Sequence, residues 1–169
     1  GDRHVVVIPY RDRLTTLAQF MQQLVMESIG KATDRNGQTV LQGLTVYGNK
    51  GSTDQHAYVQ QLRDGRNDFM ALFIQVLNDR APTPLEVQPE CDTGDLWQGF
   101  LLGTRRALSS NGRPCMTLTT PQLDAFSMGA MIALLERAVG LYGSLCDVWP
   151  AGYAHIDTSA YNRGVGLCI

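Results

Sequence analysis

Apolar and polar positions change period several times along the chain, and each change marks an expected element. "HVVVIPY" (His4–Tyr10) is a short β-branched run closed by a proline and reads as a buried strand. After Asp12, the residues Leu14, Leu17, Phe20, Met21, Leu24 and Val25 form an apolar stripe at helical spacing, which stops at Gly30-Lys31. A polar turn, "ATDRNGQT", leads to "VLQGLTVYG" (Val40–Gly48), read as one strand. "NDFMALFIQVL" (Asn67–Leu77) is a second strongly apolar strand, followed by a proline-rich stretch from Asp79 to Asp95 that reads as a surface loop. Helical spacing returns over Leu96–Gly112, a strand over Cys115–Thr120, and a long apolar helix over Leu123–Leu145. The tail from Cys146 to Ile169 has weak periodicity and suggests no element. Strands alternating with helices predict an α/β layered domain with a mostly parallel sheet.

Composition narrows this picture. The 169 residues fit one domain, and 44% hydrophobic with 18% charged residues suits a packed core. A net charge of −2 argues against a general nucleic-acid binder, which needs a basic stripe. No apolar run is expected to approach the length of a membrane span, and Gly1-Asp2-Arg3-His4 is not a signal peptide. The first residue is not Met, so the chain reads as a piece of a longer one or as a processed product. Cys91, Cys115, Cys146 and Cys168 form no CxxC pair and are expected as reduced thiols. His4, His56 and His155 have no metal-ligand spacing, and no metal site is expected.

Two short stretches carry candidate chemistry. In "YGNKGSTDQHAYVQQLRDG" (Tyr47–Gly65), Ser52 with Gln55 matches a capping box and starts a helix. His56 then falls in the first turn, where the positive end of the helix dipole would lower its pKa and suit it to acid–base work. The plain alternative is a half-exposed helix histidine held by a neighbour. The glycines of "GNKGST" lack the spacing of a phosphate loop. On the earlier helix, Gln23 and Glu27 stand four apart and share a face. Glu27, between Met26 and Ile29, is expected close to apolar surroundings that would raise its pKa and suit it as a base. The alternative there is a solvated glutamate at a helix end.

The wording of these stretches goes further than their spacing. "MESIGK" (Met26–Lys31) followed by "YGNKGSTDQHAYVQQLRDG" closely resembles the glucose-6-phosphate isomerase family, nearest to its plant-plastid and cyanobacterial branch. "VVVIPYRDRL", "QQLVMES", "TPLEV", "GFLLGTR" and "GAMIALLERAVGLYGSL" resemble the same family in the same order, from about Asp2 to Leu145. The resemblance implies a sugar-isomerase (SIS) three-layer α/β/α sandwich with C-terminal helices. Residues 1–145 would be the second SIS subdomain and C-terminal helical part, and residues 146–169 a divergent tail, irregular or misjoined.

It also implies a reaction. The family interconverts glucose 6-phosphate and fructose 6-phosphate through a cis-enediol, in glycolysis and gluconeogenesis, with no cofactor. By motif match, Glu27 would move the proton between C1 and C2, Gln23 would contact the substrate, and His56 would help open the sugar ring from across a homodimer interface. A single carboxylate can reach two adjacent carbons, and ring opening needs a separate acid–base group. The compartment implied is the cytoplasm, with the plastid as the other option. The partners implied are a sugar phosphate and a second subunit, with neither nucleic acid nor membrane.

The match has gaps. The family's phosphate-binding loop and active-site arginine belong to its first subdomain. Its C-terminal lysine motif has only "AYNRGVGLCI" as a counterpart here, and the two lysines, Lys31 and Lys50, lie elsewhere. Arg163 could hold charge there but not exchange a proton. The chain alone is therefore expected to be inactive. The alternative is a non-catalytic SIS-like module that binds a sugar phosphate or a protein partner.

Overall fold

A computed structural model describes residues 3–78 and 85–150. Along the chain run β1 (His4–Pro9), α1 (Leu17–Gln22), β2 (Lys31–Thr33), β3 (Thr39–Gln42), β4 (Val46–Gly48), α2 (Gly51–Asp54) and α3 (Val59–Asp64). Then follow β5 (Phe69–Val76), β6 (Glu86–Gln88), β7 (Cys91–Asp92), α4 (Thr93–Ser109), β8 (Cys115–Thr120) and α5 (Ala125–Leu145). The main sheet has the order β4-β1-β5-β8, and every pairing in it is parallel. In β1, Val6 pairs with Tyr47 on one side and with Ala71 on the other.

A strand buried on both faces exposes side chains alternately to two cores, so both sets must be apolar. Val5 and Val7 join Leu72, Ile74 and Val76 in a core covered by Leu17, Met21, Val25 and Ile29 and by Met131, Leu135 and Val139 of α5. Val6 and Ile8 join Phe69, Ala71 and Phe73 in a second core, covered by Leu62 of α3 and by Leu101 and Leu108 of α4. The result is the expected three-layer α/β/α sandwich. From β1 the chain moves outward to β4, then reverses across β1 to β5. Because parallel crossovers keep one hand, that reversal puts the following helices on the opposite face. The point of reversal lies between β1 and β5.

Several expectations need correction. The segment read as one strand, Val40–Gly48, is two. Thr39–Gln42 pairs antiparallel with Lys31–Thr33 in a hairpin outside the main sheet, and only Val46–Gly48 joins β1. The "polar turn" supplies that hairpin: the Asp34 carboxylate accepts the backbone N–H groups of Asn36 and Gln38, each at 2.8 Å. In the stretch read as a loop, Glu86–Gln88 and Cys91–Asp92 form a second small hairpin. The α4 helix begins at Thr93 because Asp92 and Asp95 form a reciprocal capping box. By length and composition alone, α5 is apolar enough to cross a membrane, contrary to expectation. Here Met131, Leu135 and Val139 pack against the sheet, and Glu136 and Arg137 sit mid-helix. The tail from Ala151, with His155, Arg163 and Cys168, lies outside the described residues.

Candidate active site

Gln23 and Glu27 open and close one π turn, Gln23–Glu27, which continues directly from α1. The buried positions show why the helix widens. They run Leu14, Leu17, Ala18 and Met21, then step by four through Val25 to Ile29. A turn of more than four residues keeps that stride facing the sheet. Gln23, Met26 and Glu27 are left on the outside. Glu27 is thus exposed on a rim, with the buried apolar residues behind it, and the expected apolar surroundings are not there. Its backbone carbonyl accepts from Lys31 Nζ at 3.0 Å, and Gly30 N–H closes onto the Met26 carbonyl. Beside Glu27, Met26 and Gly30 line a cavity of about 470 Å³ together with Arg3, His4, Gly43, Leu44 and Thr45. These last residues stand at the amino ends of β1 and β4. The π turn therefore ends at the amino edge of the sheet.

His56 lies at the other edge. The chain leaves the carboxyl end of β4 through Gly48, whose φ is +148°. A side chain at Gly48 would meet the Val7 carbonyl oxygen at 2.0 Å, so β4 can approach β1 there only without a Cβ. Lys50 is extended, and α2 runs only from Gly51 to Asp54. Ser52 is already inside that helix and makes no cap, so the expected capping box is absent. His56 follows the helix, in the turn between α2 and α3, with its N–H on the Thr53 carbonyl. The helix-dipole argument for His56 loses its geometry, because that argument needs the first turn.

Other residues hold the turn. Gln55 Nε2 donates to Thr104 Oγ1 at 2.6 Å, and Tyr10 Oη donates to the same oxygen at 2.8 Å. Asp54 is 2% exposed. Its carboxylate accepts the Asn49 N–H at 3.0 Å and the Tyr58 hydroxyl. The Tyr58 ring meets Tyr47 of β4 edge-on at 5.7 Å. Burial, with the Asp54 hydrogen bond and charge, pushes the Tyr58 hydroxyl pKa far up, so Tyr58 stays a donor. Lys50 pairs with Asp12 and lies over the Trp97 ring at 5.1 Å. Asp54 and Tyr58 went unnoticed in the sequence, although their i, i+4 spacing around His56 was a readable signal.

The structure brings Gln23 and Glu27 together on one turn and keeps His56 away from them. The π turn belongs to the layer of α1 and α5, and the His56 turn to the layer of α3 and α4. Between the two edges lies the length of a six-residue strand, on the order of 20 Å. Among the described residues, no group of three or more His, Cys, Asp or Glu gathers where a metal ion could sit.

A parallel sheet of order β4-β1-β5-β8 between two helical layers is a doubly wound α/β domain. Of the solved structures, a glucose-6-phosphate isomerase from Chlamydia trachomatis D/UW-3/Cx superposes with a TM-score of 0.82 at 21% identity, over 96% of this chain and 34% of its own. A hypothetical protein from Thermus thermophilus superposes with a TM-score of 0.76 at 25% identity, over 98% of this chain and 42% of its own.

The chain belongs to the phosphoglucose isomerase family, whose family model matches residues 1–90. Glucose-6-phosphate isomerase of Synechococcus sp. (strain JA-3-3Ab) is 59% identical over 151 residues, 88% of this chain and 28% of that protein. The same enzyme of Geobacter sulfurreducens is 56% identical over 148 residues, again 28% of its length. The chain thus spans less than a third of the curated relatives it matches.

Proposed function

We propose that this chain is the part of a glucose-6-phosphate isomerase that supplies the C1–C2 base and the ring-opening histidine. The observation that supports this best is the pairing of a 59% identical relative of that name with a glutamate on an exposed π turn. π turns concentrate at functional sites because they turn side chains out of the helical register. In this reading Glu27 carries the proton between C1 and C2 of the open-chain sugar, and Gln23, on the same turn, contacts the substrate. His56 protonates or deprotonates at the ring oxygen side. Such chemistry needs no cofactor.

The separation of Glu27 from His56 supports a homodimer. One subunit offers them at opposite edges of its sheet, on opposite faces, so one site can use both only if a second copy lends the histidine. The phosphate-binding elements and the family's C-terminal lysine would come from the remainder of the subunit, and residues 1–145 would form its second SIS unit with residues 146–169 as a divergent tail. Alone, the chain would be inactive. The bacterial relatives fit a cytoplasmic protein, with the plastid as the other compartment that the sequence resemblance admits. In the complete subunit, Glu27→Gln is expected to lower kcat by about 10²- to 10⁴-fold, the range for general acid–base catalysis. Near-normal turnover would overturn the assignment.

A further inference from the structure

We infer that Asp54 and Tyr58 form a clamp that positions His56 for ring opening. The inference rests on the role proposed for His56 and extends it to two residues that touch no substrate. His56 sits midway between them in sequence, and their side chains are hydrogen-bonded to each other. The Asp54 oxygen Oδ2 accepts both the Asn49 N–H, before the short helix, and the Tyr58 hydroxyl, after the histidine. One buried atom thus ties the entry and the exit of a ten-residue segment, Asn49–Tyr58. The backbone repeats the tie: Asp54 N–H reaches the Lys50 carbonyl at 2.9 Å, and Tyr58 N–H reaches the Asp54 carbonyl at 3.1 Å.

The histidine itself has no such anchor in the core. It is exposed, as is Ala57 next to it. Its direction is set by the turn, which Asp54 and Tyr58 close on itself and Gln55 ties to Thr104 of α4. Tyr58 in turn rests on Tyr47 of β4, so the clamp refers His56 to the sheet. A buried carboxylate that accepts from a hydroxyl and a backbone amide makes charge-assisted bonds, stronger than neutral ones and more demanding in geometry. A misplacement of about 1 Å at a reacting group can cost 10²-fold in rate. Without the clamp, His56 would still be present and still able to titrate, but would wander from the ring oxygen.

The test uses the complete subunit with Tyr58→Phe, Asp54→Ala, Asp54→Asn and, as reference, His56→Asn. Turnover of glucose 6-phosphate and its primary isotope effect on C2 deuteration are measured. Positioning predicts that Tyr58→Phe lowers kcat about 10- to 100-fold with KM little changed. The C2 isotope effect should also fall toward unity, because ring opening then limits the rate and hides proton transfer. His56→Asn should show the same signature more strongly, and Asp54→Asn, which keeps an acceptor oxygen, should recover part of what Asp54→Ala loses. A merely structural role would lower Tm and leave kcat and the isotope effect of the folded enzyme at wild-type values, which overturns the inference. Should Asp54→Ala fail to fold, Tyr58→Phe decides. If His56→Asn turns over normally, the reading of His56 falls and the clamp with it. If only the clamp variants behave as wild type, the inference alone falls.

Discussion

Gly51 rests against the ring of Tyr10 so closely that a methyl group on it would lie 2.5 Å from both Cε1 and Cζ. The ring cannot retreat. Its hydroxyl is tied to Thr104 at 2.8 Å, and its face is stacked on Phe73 with centroids 6.4 Å apart. Gly51→Ala is therefore expected to cost about 1–3 kcal/mol, the usual range for overpacking. It should lower Tm by several degrees and reduce turnover, because the segment it displaces carries His56. Thermal unfolding of the complete subunit checks this, and an unchanged Tm would show that the contact relaxes freely.

That contact also shows what was and was not legible in the sequence. The strands β1 and β5 stood out because both their faces are buried, which leaves a nearly unbroken apolar run with no ambiguity of face. α5 was legible from its length. The glycines of "YGNKGST" were visible as a turn, but their reason was not: Gly48 is required by Val7 and Gly51 by Tyr10, each about forty residues earlier in the chain. The capping box at Ser52 failed for a similar reason. Burial of the Asp54 carboxylate against Asn49 and Tyr58 fixes where the short helix starts, and the local Ser-x-x-Gln pattern carries no trace of that. Likewise, the stripe through Val25 predicted a helix, but only packing on the sheet shows that the turn from Gln23 to Glu27 widens. Glu27, His56 and Gln23 became candidates through the wording of whole motifs. Spacing alone left each with an ordinary surface explanation.

Helix α5 begins at an acid-sensitive cap. Asp124 accepts the Ser127 N–H at 2.7 Å and the Gln122 side-chain amide at 2.5 Å. The Ser127 amide first, and then Gln122, hold the Asp124 carboxyl below its usual range. A depressed folded-state pKa means that the unfolded chain binds the proton more readily. The stabilisation is therefore complete above the ordinary carboxylate pKa of about 3.9, and is lost as pH falls through the folded value. The Tm difference between wild type and Asp124→Ala should accordingly be larger near about pH 7 than near about pH 3. Equal differences at both pH values would mean that the charge of the cap contributes nothing.

The outer side of α5 is apolar as well as the inner. Phe126, Leu134, Leu141 and Leu145 all stand at least half exposed, away from Met131, Leu135 and Val139, which are buried. Leu134 and Leu141 are seven apart and Leu141 and Leu145 four, so they form one stripe. An apolar stripe along a 21-residue helix is more than a soluble monomer normally leaves open. Expressed by itself, the chain should self-associate, and Leu134→Lys with Leu141→Lys should shift it toward monomer in sedimentation velocity. A chain that sediments as a clean monomer without those substitutions would show that the stripe needs no cover.

The opposite placement of Glu27 and His56 gives the sharpest prediction for the assembled protein. If each site takes its glutamate from one subunit and its histidine from the other, two inactive variants should complement. In a hybrid of a Glu27→Gln subunit with a His56→Asn subunit, one site receives both altered residues and the other receives neither. Random reassociation of equal amounts makes half the dimers hybrid, each with one intact site, so activity should return to about a quarter of wild type. Were both residues used within one subunit, every site in the hybrid would carry one defect, and mixing would restore nothing. The assay is turnover of glucose 6-phosphate after the two purified variants are dissociated together and allowed to reassemble. Each variant treated alone sets the baseline. Recovery well above both baselines supports the shared site, and activity that stays at the baseline places His56 and Glu27 in the same subunit's site or removes His56 from the chemistry.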